Sequence, residues 1–131
     1  MTADDVEVYI GLPHEPGAAG PHAYDCWNLL RHLRAAYFDA PLPDAPIGDK
    51  EACLALFTEK CRSGSWLPVA IPEHGDCACM RAGMNPHVGI YLDLDGGGIL
   101  HSLEKVGVVW TPIGSLSAHG FPKTTYYRIA K

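Results

Sequence analysis

Six short β-like runs fill the second half of the chain, and they constrain its fold more than any other feature. The runs read WLPVAI, DCACMRA, HVGIYLDL, GILHSL, VGVVW and TTYYRIA, and turn signals rich in proline and glycine separate them. Before Trp66 the apolar residues instead follow helical periods. Helices first and strands second indicate an α+β domain, with helices on one side of an antiparallel sheet of about five or six strands.

The stretch AYDCWNLLRHL, residues 23–33, predicts the helix that packs on this sheet. Apolar residues recur at spacings of three and four from Trp27 onward, and Asp25 is a good N-cap just before them. Cys26 then lies in the first turn, where the unpaired amides and partial positive charge of a helix N-terminus favour a thiolate. This position indicates a nucleophile. Core packing is the alternative, because free cysteine is among the most buried residue types.

A second amphipathic helix is predicted at about residues 49–62, after a connector at residues 39–47 that prolines exclude from regular helix. Its buried stripe would contain Ala52, Cys53, Leu56, Phe57 and Cys61. Residues 11–21, GLPHEPGAAGP, hold three glycines and three prolines and therefore predict a loop. The loop runs directly into the Cys26 helix, where it is well placed to wall an active site. Residues 4–10 predict a helical turn or a short strand.

Length and charge bound the possible functions. The 131 residues suffice for one domain with one core, and no repeat or long linker divides them. The formal net charge of −5 argues against nucleic acid or an anionic membrane as a partner, because both require a basic face. The N-terminal MTADDVEVYIGLP has no basic segment followed by a long apolar run, so we expect no secretory signal. We expect synthesis in the cytoplasm.

The five cysteines are odd in number, which predicts reduced thiols rather than a disulfide framework. Cys77 and Cys79 alternate along a predicted strand, so both should point to one face of the sheet. Together with His74 they could form a metal site. The C-x-C spacing lacks a matching second pair, however, and we therefore expect no metal and no cofactor.

A thiol nucleophile needs a base within hydrogen-bond reach and a third group that orients the base. Among the seven histidines, His87 and His101 lie at the two ends of HVGIYLDLDGGGILH. A turn near residues 95–97 would bring them to similar heights on neighbouring strands. His87 as base and His101 as orienting group would then share one face of the sheet. The alternative is that each is an ordinary strand histidine.

Four blocks of the sequence resemble the NlpC/P60 family of cysteine peptidases. GLPHEPGAAGPHAYDCWNLLRHL is similar to the family's nucleophile region, where G-x-P-Y, a glycine-rich loop and D-C-[SW]-G-[LF]-[VL] precede the helix. PEHGDCACMR resembles its P-G-D strand, PHVGIYL its S-H-V-G-I-Y base strand, and GILHS the strand with its third polar residue. The blocks follow the family's order over about residues 10–103. The resemblance implies a papain-like α+β fold over residues 1–131, with the nucleophile helix packed on the sheet.

The resemblance also implies roles for individual residues. Cys26 would be the nucleophile, His87 the general base and His101 the group that fixes the tautomer of His87. Asp25 would hold the free amine of a short peptide stem, although capping the helix accounts for it equally well. The oxyanion would be met by the Cys26 amide and by donors of the glycine-rich loop. The implied reaction is hydrolysis, through a thioester, of an amide bond in a peptidoglycan stem peptide, at a γ-D-glutamyl to diamino acid bond.

Three positions depart from the family pattern. His14 stands where a tyrosine is usual, twelve residues before Cys26. It can donate a hydrogen bond there, but its charge would follow pH. Asn28 replaces a small residue, and Trp27 replaces the serine of cell-wall enzymes, where it could narrow a substrate subsite.

The D-C-W form and the tail VGVVWTPIGSLSAHGFPKTTYYRIA most resemble the phage-tail branch of the family, whose last strand often ends in Y-Y-R-[ILV]. This implies peptidoglycan peptides and phage tail proteins as partners, with the protein in a virion tail or delivered to the cell wall. Three alternatives remain: a tail assembly component with little turnover, a secreted amidase toxin of the same fold, and a transferase that uses the same thioester.

Overall fold

A computed structural model describes residues 1–39, 42, 55, 59, 62–82 and 85–129 of the chain. Two α-helices and six β-strands are defined within these residues. They are α1 (Ala3–Tyr9), α2 (Cys26–Phe38), β1 (Trp66–Val69), β2 (Cys77–Ala82), β3 (Asn85–Leu92), β4 (Gly98–Leu103), β5 (Gly107–Pro112) and β6 (Lys123–Ile129), with a 3-10 helix at Ile113–Ser115. The apolar stripe of the predicted helix at about residues 49–62 lies outside the described residues.

The strands form one antiparallel sheet of six strands in the order β1-β6-β2-β3-β4-β5. The predicted α+β class, with a sheet of about five or six strands, is confirmed. The last strand of the chain does not extend an edge. It pairs with β1 through Trp66 and Ile129 and with β2 through Cys77 and Tyr127, so the C-terminal segment is part of the sheet interior.

The helix α2 begins where the sequence predicts it. Asp25 accepts a hydrogen bond from the Asn28 amide at 2.7 Å and caps the first turn. The buried side chains Leu29, Leu30 and Leu33 pack against β3 and β4. Each is at most 1% exposed, and truncating such a leucine to alanine typically costs about 2–5 kcal/mol. The helix ends at Phe38, and Asp39 after it adopts a left-handed conformation.

Alternate residues of the strands supply two apolar clusters, one on each face of the sheet. The helix-side cluster contains Cys77, Cys79, Val88, Ile90, Leu92, Leu100 and Val108 with the apolar side chains of α2. The opposite cluster contains Ala78, Met80 and Ile99 with Leu116 and Phe121, which come from the segment after β5. Cys77 and Cys79 therefore share a face, as their alternation predicts, and both are free thiols.

The N-terminal segment forms a short helix, α1, with a capping box between Thr2 and Asp5. The chain then pairs briefly with the edge strand β5, because Val108 exchanges backbone hydrogen bonds with residues 11 and 12. Gly107 permits this approach: its φ is +107°, and a Cβ there would lie 2.5 Å from Leu12 O. The glycine-rich loop is thus attached to the sheet at its start. None of the described helices is long and apolar enough to cross a membrane.

Candidate active site

Cys26 is the first residue of α2 and is partly buried. Its position follows from Asp25, whose extended backbone and capping side chain start the helix at the next residue. The sulfur therefore lies at the end of a 13-residue helix that carries partial positive charge. The sequence predicted this position of Cys26, and the inference of a nucleophile rested on it.

His87 and His101 are brought together by β3 and β4. Nε2 of His87 lies 2.7 Å from Nδ1 of His101, and the two rings are tilted by 65°. On its other side, Nε2 of His101 lies 2.8 Å from Oγ1 of Thr111 on β5. His101 and Thr111 are buried. Three hydrogen-bonding side chains thus form a continuous row across three adjacent strands.

The protons in this row can be arranged in two ways. In one, Nε2–H of His87 donates to Nδ1 of His101, and Nε2–H of His101 donates to Thr111. In the other, Nδ1–H of His101 donates to His87, and the Thr111 hydroxyl donates to His101. Only the first leaves Nδ1 of His87 with a lone pair, as a general base requires.

Both imidazoles are held in the neutral form. Burial lowers the pKa of His87 to about 3, with further lowering by the charges of His101 and His14. Burial also lowers the pKa of His101 to about 4, and His119 contributes in the same direction. At neutral pH the row therefore carries no net positive charge, and both rings are unprotonated beyond their single N–H.

The close approach of the two histidines depends on Gly89. A Cβ at this position would lie 2.6 Å from Cγ2 of Ile99 and 2.8 Å from Cβ of His101. Glycine therefore leaves the space that the His101 side chain needs beside β3. The ring of Phe121 stacks on His87 with centroids 5.3 Å apart and meets His101 edge-on at 5.9 Å. Phe121 thus covers the histidine pair from the face opposite α2.

A second set of contacts connects the glycine-rich loop to the beginning of α2. Oγ of Ser102 donates to the Tyr24 carbonyl at 2.8 Å and lies 2.9 Å from Nδ1 of His14. Ser102 follows His101 on β4 and is fully buried. The Ser102 hydroxyl therefore connects three parts of the chain. They are the glycine-rich loop, the segment just before Cys26, and the strand that carries His101.

Asp25 and Trp27 both have structural contacts. Besides capping α2, the Asp25 carboxylate accepts a hydrogen bond from the Gly17 amide at 3.0 Å, so it also holds the loop. Trp27 is 6% exposed, and its ring stacks on Trp66 at 5.9 Å. Trp27 thus packs in the core through this contact, and the narrowing of a substrate subsite by Trp27 stays a prediction. The binding of an amine by Asp25 stays a prediction.

Sequence reasoning did not identify Ser102, Thr111 or Phe121. A strand pairing of β4 with β5 would have indicated Thr111. Val109 is opposite His101 in the register, and Thr111, two residues further on, lies on the same face of the sheet as Val109. No sequence pattern indicated Phe121, because it reaches the histidines from a loop. In the described ranges, no group of three or more His, Cys, Asp or Glu side chains is arranged to hold a metal ion.

The chain was compared with models of known protein families. The model of the NlpC/P60 family matches residues 11–127. The matched span starts at the glycine-rich loop and reaches into β6, so it contains every candidate residue described above. No curated protein sequence matches the chain.

Proposed function

The chain belongs to the NlpC/P60 family, whose members are generally cysteine peptidases or amidases acting on peptidoglycan peptides, and we propose that it hydrolyses an amide bond in the peptidoglycan stem. The observation that carries the proposal is the 2.7 Å contact between His87 Nε2 and His101 Nδ1. It is supported by the position of Cys26 at the start of α2 and by the attachment of that segment to β4 through Ser102.

In the proposed reaction, the Cys26 sulfur attacks the amide carbonyl while Nδ1 of His87 takes the thiol proton. The tetrahedral intermediate then collapses, the C–N bond breaks, and His87 returns the proton to the leaving amine. Water attacks the resulting thioester with His87 again as base, and the carboxylic acid and the thiol are released. The proposed bond joins a γ-D-glutamyl residue to a diamino acid.

His101 and Thr111 would hold His87 for this work. Nδ1 of His101 accepts the Nε2–H of His87, which leaves Nδ1 of His87 unprotonated and stabilises the imidazolium once the thiol proton has moved. The pKa of His87, lowered to about 3, supports a resting state with a neutral imidazole. Proton transfer then accompanies attack on the carbonyl rather than preceding it.

The direct test is release of soluble fragments from purified peptidoglycan by the wild type and by Cys26→Ala, with mass spectrometry of the products. Fragments formed by the wild type alone would identify a cysteine amidase and the bond that it cleaves. If folded wild-type protein releases nothing between about pH 5 and 9, which includes the range in which an ordinary histidine changes charge, hydrolysis of this substrate is ruled out.

Alkylation by iodoacetamide tests the thiol without a substrate. Cys26 should react at neutral pH, whereas Cys77 should not, because it is 1% exposed and burial raises its pKa to about 12. Peptide mapping of the modified protein distinguishes the two thiols. An inert Cys26 would favour the alternative role of an assembly component with little turnover.

We propose a phage tail as the setting, on the resemblance of the D-C-W form and the YYRI run at residues 126–129. Arg128 of that run contacts both carboxylate oxygens of Asp76, at 3.0 and 3.3 Å. The run therefore also has a structural role in the domain. Detection of the protein in purified virions would support the proposal, and secretion into a competing cell would favour the toxin alternative.

A further inference from the structure

The imidazole of His14 is held by a serine hydroxyl that has only one proton to donate. Oγ of Ser102 lies 2.8 Å from the Tyr24 carbonyl oxygen and 2.9 Å from Nδ1 of His14. A carbonyl oxygen can only accept, so the Ser102 proton is donated to Tyr24. The second hydrogen bond must then take its proton from the ring, and Nδ1 of His14 is the donor.

The other ring nitrogen of His14 follows from this assignment. A neutral imidazole carries one proton, so Nε2 holds a lone pair and is a hydrogen-bond acceptor. Within the part of the chain that the structure describes, Nε2 of His14 has no hydrogen-bond partner. Among the described residues, the buried side-chain polar atoms without a hydrogen-bond partner are Arg34 Nε and Thr124 Oγ1, so Nε2 of His14 is not buried in this way. The nitrogen is thus open to an incoming group.

His14 is held by the residue that follows His101 in the chain. Its hydrogen-bond partner Ser102 follows His101 along β4, and a positive charge on His14 lowers the pKa of His87. The same hydroxyl holds Tyr24, two residues before Cys26. Through Ser102, the His14 imidazole is therefore held beside the segment that begins the nucleophile helix.

We propose that Ser102 is a positioning residue that fixes His14 as its Nδ1–H tautomer, and that Nε2 of His14 accepts a hydrogen bond from an N–H group of the substrate. The substrate half of this inference rests on the proposed function, whereas the tautomer does not. A tyrosine at this position could donate to an oxyanion, but neutral His14 has no proton at Nε2. It is a substrate-binding acceptor, and oxyanion donors must come from elsewhere.

The tautomer can be measured on the full chain by long-range 1H–15N correlation of the imidazole rings at about pH 8, where an ordinary histidine is neutral. The signals of His14 are identified by their loss in His14→Asn. We expect the proton on Nδ1 in the wild type and a larger Nε2–H population in Ser102→Ala. A proton on Nε2 in the wild type would overturn the inference, even if Ser102→Ala does not fold.

The acceptor role is tested by hydrolysis of soluble stem peptides, freed from peptidoglycan with a muramidase. The amide of His14→Asn can still donate to Ser102 but lacks the far nitrogen. Loss of one neutral hydrogen bond should raise KM about tenfold, equivalent to about 1.4 kcal/mol, and leave kcat within about twofold. His22→Asn, at an exposed histidine, should change neither constant.

Loss of an oxyanion donor would look different. It would lower kcat by about 10²–10³-fold, and this result would overturn the acceptor role. If the folded wild type cleaves no stem peptide, the substrate half fails together with the proposed function. The NMR spectrum still decides the tautomer in that case, so the two failures are distinguishable.

Discussion

Nε2 of His101 lies 2.8 Å from Oγ1 of Thr111, and this contact continues the hydrogen-bonded row that begins at His87. Thr111→Val removes the hydroxyl and keeps the shape of the side chain. A buried ring nitrogen then loses its partner, so we expect a loss of about 1–3 kcal/mol in the free energy of unfolding. We also expect a lower kcat, because His101 is no longer held in the tautomer that accepts from His87.

The matched control is Thr111→Ser, which keeps the hydroxyl and should retain most of the activity. Denaturant unfolding and steady-state hydrolysis of stem peptides measure the two effects. Equal kcat in Thr111→Val and Thr111→Ser would show that Thr111 does not orient His101.

The depressed pKa values of the histidine pair predict how stability depends on pH. Unfolded histidines titrate near 6.5, whereas His87 and His101 titrate at about 3 and about 4 in the folded protein. Between these values the unfolded chain binds more protons, so stability is fully present above about pH 6.5 and is lost as the pH falls. Each ring should contribute a slope of up to about 1.4 kcal/mol per pH unit.

Denaturant unfolding at about pH 7 and 5 measures this slope. In His101→Asn one of the two rings is absent, and the loss of stability on acidification should be smaller than in the wild type. The same loss in both proteins would mean that the pair is not what destabilises the fold in acid.

The same low pKa predicts that hydrolysis persists in mild acid. At pH 5 an ordinary histidine is only about 3% neutral, but His87, with a pKa of about 3, remains almost entirely neutral. The acid limb of kcat/KM should therefore lie well below pH 6, provided that circular dichroism shows folded protein at each pH. An acid limb with a midpoint near pH 6.5 would contradict a buried, neutral His87.

Much of this arrangement was predictable from local sequence. The cap at Asp25, the position of Cys26 in the first helical turn and the neighbouring strands of His87 and His101 all depend on residues close together in the chain. Capping, periodicity and hairpin spacing are short-range effects, so they can be read without the fold. The resemblance to the family rested, in addition, on the order of four sequence blocks along the chain.

The remaining features depend on contacts between distant segments. His14 and Ser102 are 88 residues apart, and no local pattern pairs them. The position of β6 between β1 and β2 likewise depends on contacts between distant segments, because several strand orders are compatible with the same local sequence patterns. The stacking of Trp27 on Trp66 is a third example, because the two residues are 39 positions apart in the chain.

A substitution at Gly89 tests whether the pairing of His87 with His101 requires the close approach of β3 and β4. A Cβ there would meet Ile99 at 2.6 Å, His101 at 2.8 Å and the Leu100 carbonyl at 2.9 Å. Backbone and the base of a buried side chain cannot move aside cheaply, so Gly89→Ala should cost about 1–3 kcal/mol in stability. It should also displace His101 from His87 and lower kcat more than KM changes.

Gly114→Ala is the matched control, because a Cβ at Gly114 would meet nothing within 4 Å and its backbone needs no left-handed conformation. Its stability should stay within about 0.5 kcal/mol of the wild type, as for ordinary surface substitutions. Thermal unfolding and stem-peptide hydrolysis of the two variants measure the contrast. If Gly89→Ala behaves like Gly114→Ala in both assays, the pairing of the histidines does not require the space that glycine leaves between the strands.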